Sequence, residues 1–113
     1  MKLWHYTCDH HRRQLGWNGA LRPGLDGFVW MTDLDHPDAY GLGLTSMILR
    51  CDRTAHRYRV KVTDTARPWV EVRREINPVR VEALESAPGV LLRHWWVATT
   101  LVPVVYDPIG ATT

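Results

Sequence analysis

Two short segments set the terms for any fold of this chain: Leu3-Trp4-His5-Tyr6-Thr7 and Phe28-Val29-Trp30-Met31-Thr32-Asp33. Each reads as a strand, and each carries polar and aromatic groups where a plain core strand would carry aliphatic ones. A chain of 113 residues has room for a single hydrophobic core. A polar group buried in that core destabilises the fold unless it is hydrogen-bonded. Histidine, threonine and indole on two such strands, separated by a glycine-punctuated loop, therefore mark a candidate pocket.

The totals narrow the class. A 45% hydrophobic and 23% charged composition is ordinary for a globular domain, so one domain is expected over residues 1–113. A net charge of +2 gives no argument of its own for nucleic acid. Six tryptophans (Trp4, Trp17, Trp30, Trp69, Trp95, Trp96) stand against one phenylalanine, a density at which one or two should line a groove or an interface. Cys8 and Cys51 are too few and too isolated for a disulfide framework. The start of the chain shows no apolar signal region, and no run reaches the length of a membrane span. The expectation is a cytoplasmic protein, in its own cell or in a host's, with no membrane partner.

Read for local structure, residues 2–7 form a strand, and Asp9 caps a short helix over 10–15 that ends at Gly16. Residues 17–27 read as loop, 28–32 as the second strand and 33–37 as a turn. Arg57 to Val62 is the clearest strand, with Tyr58, Val60 and Val62 alternating against Arg57, Arg59 and Lys61. A short strand is expected over 69–73 and one or two helical turns over 79–86, followed by a turn at Pro88-Gly89. Trp95 to Val105 reads as one β-prone run in which Pro103 favours an edge or a bulge. The polar tail from Asp107 should fray. The sum is a strand-rich α+β domain with short helices and long loops, and long loops in a small domain are more often functional than decorative.

Several chemical signatures fall away on inspection. His5, Cys8, His10 and His11 have the residue types of a zinc site but lack a second ligand pair, so no metal is expected. Gly41-Leu42-Gly43 is part of a dinucleotide fingerprint without its strand-to-helix setting. Cys8 near a histidine is more often an inert buried thiol than a nucleophile. Arg12, Arg13, Arg53, Arg57, Arg59, Lys61, Arg73 and Arg74 could track phosphates, although a solvated sheet face is the plainer reading. Of the acids Glu71, Glu75, Glu82 and Glu85, the last two precede a turn and the final strand, where a loop can carry a carboxylate into a cleft.

The order of these pieces resembles the ADP-ribosyltransferase superfamily, in particular its small bacterial members similar to the rifampin ADP-ribosyltransferases. The likeness runs over most of the chain. It begins with Trp4-His5-Tyr6-Thr7, continues through Leu21-Arg22-Pro23-Gly24 and Val29-Trp30-Met31-Thr32, and leads into Asp38-Ala39-Tyr40-Gly41. Tyr58-Arg59-Val60, Pro88-Gly89 and the aromatic strand ending in Pro103-Val104-Val105 complete it. The resemblance implies a compact split β-sheet core, with NAD bound as co-substrate in a cleft between two small sheets. It implies His5 on a ribose, main-chain groups of Tyr6 and Thr7 on the nicotinamide amide, and Trp30 stacked on the nicotinamide ring. Thr32 and Tyr40 belong to the same NAD-binding set. Glu85, or Glu82, would be the acid that holds the other ribose hydroxyl and steers the acceptor, with His5 beside it in the catalytic set. Two departures stand out: Trp30 replaces the usual tyrosine, and no Glu-x-Glu pair precedes the last strand.

The implied activity is transfer of ADP-ribose from NAD to an acceptor (a protein, a nucleic acid or a small molecule), as in a toxin-like or host-modifying enzyme. Breaking the nicotinamide–ribose bond develops oxocarbenium character, which a carboxylate stabilises. Two rivals are a non-catalytic nucleotide- or protein-binding module on the same scaffold, and a nucleic-acid binder using the strand around Arg57 to Lys61.

Overall fold

In the computed structural model, seven strands among the described residues make one sheet, and every pairing between them is antiparallel. The structure describes residues 1–8, 15, 18–36, 55–86 and 89–109. In chain order the strands are β1 (Trp4–Thr7), β2 (Asn18–Leu21), β3 (Val29–Thr32), β4 (His56–Val60), β5 (Arg67–Pro68), β6 (Trp95–Ala98) and β7 (Val102–Tyr106). Their order across the sheet is β2-β7-β4-β1-β3-β6-β5. Two short helices, α1 (Trp69–Val72) and α2 (Pro78–Glu85), and 3-10 turns over Arg73–Glu75 and Leu92–His94 complete the described elements. The molecule is a mixed α/β protein dominated by an antiparallel sheet, with few and short helices.

Strand alternation separates two buried clusters. The first holds Leu3, Val29, Met31, Tyr58, Val60 and Val104, with Trp96 and Tyr106 packed against it. The second holds Trp69, Val72, Val81, Trp95 and Val97, with Phe28 and Trp30 at its margin. On β3 the neighbours Trp30 and Met31 therefore serve different clusters, as a period of two requires. Helix α2 begins where Asn77 Oδ1 accepts the Val79 N–H at 2.9 Å and Pro78 occupies the first turn. It buries Val81 and packs Leu84 on the second cluster.

Four sequence expectations are corrected. Residues 18–21 are a strand rather than loop: Asn18, Gly19, Ala20 and Leu21 pair in turn with Val105, Val104, Pro103 and Val102 along β7. The glycine that argued against a strand is what lets the chain pass there, because a Cβ on Gly19 would lie 2.6 Å from the Leu15 carbonyl oxygen. Trp69-Val70-Glu71-Val72 is helical, since burying Trp69 and Val72 on one cluster needs a spacing of three. Trp95 to Val105 is two strands broken at 99–101, and Pro103 lies in an interior strand. Its missing N–H faces Lys61, just past the end of β4, while its carbonyl accepts the Lys61 N–H at 3.0 Å. Lastly, Asp107 is tied down: its carboxylate accepts Trp4 Nε1 at 2.9 Å and meets Arg57 at 3.2 Å. The helix expected over 10–15, with Asp9 and Gly16, lies outside the described residues apart from Leu15.

Candidate functional site

The candidate site begins at a gap in the ladder. β1 pairs with β4 over four positions and β3 with β6 over four, but β1 meets β3 at Trp4–Thr32 alone. The sheet is thus four strands and three, joined by one rung. Val60 N–H donates to the Leu3 carbonyl at 2.9 Å, so odd residues of β1 turn their main chain toward β4 and even residues toward β3. Continuing the β1–β3 ladder would set Tyr6 opposite Trp30. No rung forms there, and the main-chain N–H and C=O of Tyr6 open onto the seam. The Trp30 carbonyl instead accepts a hydrogen bond from His5 Nδ1 at 2.8 Å. A carbonyl can only accept, so Nδ1 carries the proton. The imidazole replaces a ladder bond and wedges the two strands apart.

Tyr6 and Thr7, expected at the nicotinamide edge, are both buried, but only Tyr6 turns its main chain to the seam; Thr7 turns toward β4, opposite His56. Tyr6 Oη donates to the Leu34 carbonyl at 2.9 Å, and Thr32 Oγ1 accepts the Leu34 N–H at 3.1 Å. Burial pushes the Tyr6 phenol up to about 12, against the opposing pull of the Arg57 charge. Arg57 Nη1 also donates to the Asp35 carbonyl. Three side chains therefore fix the segment that leaves β3. Tyr40 lies outside the described residues, as do Cys51, His10 and His11.

Trp30 and Glu85 stand on the other side of β3 from His5. Alternation and register set His5 with Tyr58 on the side of the first cluster. The Trp30 ring joins the second cluster, with Trp69 at 5.0 Å, Phe28 at 5.6 Å and Trp95 at 5.6 Å between centroids. Its Nε1 donates to Asp26 Oδ2 at 2.7 Å. Glu85 Oε2 accepts Trp69 Nε1 at 2.7 Å and Arg73 Nε at 2.8 Å, and Oε1 accepts Arg73 Nη2 at 2.9 Å. Chiefly the Arg73 hydrogen bonds, with help from the Trp69 N–H, hold the Glu85 carboxyl below its ordinary range. Glu82 is exposed on the same helix. From His5 to Glu85 the contacts run through the Trp30 carbonyl, the Trp30 ring and the Trp69 ring.

Sequence reasoning missed the partners of the tryptophans. Four indole N–H groups, those of Trp4, Trp30, Trp69 and Trp96, point at the carboxylates of Asp107, Asp26, Glu85 and Asp33. Such pairs span 4 to 103 residues, and only the Asp26–Trp30 spacing was open to a local reading. The arginine-bearing strand also differs from expectation. Arg57 turns inward, stacked 5.6 Å from the Trp4 ring and donating to the Asp107 carbonyl, while Arg59 and Lys61 are exposed. Val62, expected to alternate inward, is half exposed. Comparison with protein families, curated proteins and solved structures finds no match for this chain.

Proposed function

We propose that the protein is an ADP-ribosyltransferase that takes NAD as co-substrate and passes ADP-ribose to an acceptor (protein, nucleic acid or small molecule). The observation that carries this reading is the Tyr6 main chain, left without a rung beside the His5 wedge. A primary carboxamide offers one acceptor and one N–H donor side by side. It can pair with the N–H and C=O of a single strand residue much as a neighbouring strand would. The nicotinamide amide has that form. NAD would supply the labile bond between its ribose and the nicotinamide nitrogen. Tyr6 would fix the leaving group by its main chain, and His5, locked as the Nδ1–H tautomer, would hold its ring at the seam. The division of the sheet into four and three strands agrees with a cleft between two small sheets. Glu85 or Glu82 would be the acid; Glu85 lies across β3 from His5, so it can serve only if the ribose reaches past the seam and Arg73, whose side chain is 41% exposed, gives way to it.

Incubation of the purified chain with NAD should release nicotinamide, and a labelled NAD should mark an acceptor in a lysate. His5→Ala, which removes the wedge and lets β1 and β3 close, should abolish both. Absence of turnover together with absence of any thermal shift on adding NAD would sink the proposal. A second reading has its own support, because the Glu85 carboxylate is already held by three donors. On that reading the chain is a non-catalytic nucleotide-binding module. NAD then changes tryptophan fluorescence without nicotinamide release, and Glu85→Gln leaves binding unchanged.

A further inference from the structure

On the far side of the Trp4–Thr32 rung lies a second constellation. Thr32 pairs with Trp4 on one flank and Trp95 on the other, and the next residues outward are Asp33 and His94. His94 Nδ1 donates to Asp33 Oδ1 at 2.6 Å. The other oxygen of Asp33 faces Trp96 Nε1 at 3.5 Å. Trp96 packs on the first cluster, so the pair belongs to the His5 side of the sheet. By strand rise, Asp33 and His5 stand roughly 7 Å apart along the strand direction. Both side chains of the pair are about one third exposed. No other hydrogen bond of the His94 ring is made among the described residues, and its neutral form carries the lone pair on Nε2.

We propose that His94, oriented by Asp33, is the general base that takes the proton from an oxygen acceptor. The inference rests on the reading of the protein as an ADP-ribosyltransferase and adds to it the chemical class of the acceptor. The acceptor is an O–H group, with water as its simplest case. A carboxylate on Nδ1–H fixes the tautomer and stabilises the imidazolium that forms, which a surface ion pair of mobile side chains does not do. The step balances as follows. The glycosidic electron pair leaves with nicotinamide, the acceptor oxygen bonds to the ribose carbon, and its proton passes to His94 Nε2 and on to solvent. With water the products are ADP-ribose, nicotinamide and one proton.

The test uses the full chain, NAD, and three variants, with nicotinamide release and NAD binding (by tryptophan fluorescence) measured together. His94→Asn keeps an N–H toward Asp33 but has no base, and His94→Ala has neither. Both should bind NAD within twofold of the wild type and release nicotinamide about 100-fold more slowly. Added imidazole should restore part of the rate to His94→Ala, and Asp33→Asn should fall between. Wild-type release in both His94 variants would overturn the general-base role and leave the NAD reading standing. Slow release in His94→Ala without rescue, or with weakened binding, would mark a structural tie and overturn it also. No release by the wild-type chain would overturn the NAD reading itself.

Discussion

Asp26 shows how a single carboxylate organises its neighbourhood. Its Oδ1 accepts the Phe28 N–H at 2.9 Å and its Oδ2 accepts Trp30 Nε1 at 2.7 Å, so one side chain fixes both the turn and the indole that follows it. Arg80 donates to the Asp26 carbonyl and lies 5.6 Å from the Phe28 ring, which brings the start of α2 onto the same turn. Charge-assisted bonds of this kind contribute more than neutral ones, and an unmatched donor left behind is expensive. Asp26→Asn keeps the shape but turns an N–H toward either Phe28 or Trp30. It should lower stability by about 1–3 kcal/mol in urea unfolding, with a blue-shifted or broadened tryptophan emission. An unchanged midpoint would mean that the aromatic cluster, rather than the carboxylate, positions Trp30.

Among the elements, β2 most clearly separates what propensity can say from what packing decides. Asn-Gly-Ala-Leu has no β-branched residue, yet it forms an edge strand because β7 offers a ladder and Leu15 closes over Gly19. Gly19→Ala would drive a methyl into the Leu15 carbonyl at 2.6 Å. Thermal melting should show a loss of about 1–3 kcal/mol. Gly24→Ala meets Asp26 Oδ1 at 3.7 Å, an ordinary contact, and should melt within a degree or two of the wild type. Equal melting of the two variants would refute the close approach of Leu15 to β2. The same distinction explains which strands were legible. β4 carries alternation strong enough to be read directly, and β1 and β3 still read as strands on weaker patterns. Trp69 to Val72 alternates just as well but folds as helix, because its burial partners, Val81 and Trp95, are 12 and 26 residues away. The seam at His5 was legible as a polar residue on a strand. Its acceptor was not, since nothing local names the Trp30 carbonyl.

Across the whole molecule, ionic ties join segments that the ladder does not and shape its response to acid, while a buried phenol shapes its response to alkali. Arg73 and Glu85 connect the turn after α1 to the end of α2, and Arg67 and Glu75 connect β5 to that same turn. In both pairs hydrogen bonding and charge from the arginine hold the carboxyl below its ordinary range in the folded chain. A depressed folded value means stability that is present above the ordinary carboxylate range and lost as pH falls through the folded value. Acid should therefore loosen the second cluster first, with Trp69 losing its indole partner as Glu85 protonates. Glu85→Gln should be less stable at neutral pH and should flatten the acid limb. At the other end, Tyr6 is raised to about 12 by burial. A raised folded value means stability fully present below the ordinary tyrosine value, about 10, and lost as pH climbs toward 12. The phenolate can no longer donate to the Leu34 carbonyl, so the segment leaving β3 is released. Tyr6→Phe should lose the steep alkaline limb while starting from a lower stability at pH 7. Urea midpoints measured from pH 3 to pH 11 for wild type and both variants separate these limbs. An alkaline limb that persists in Tyr6→Phe would assign the transition to another tyrosine and refute the clamp of Tyr6 on Leu34.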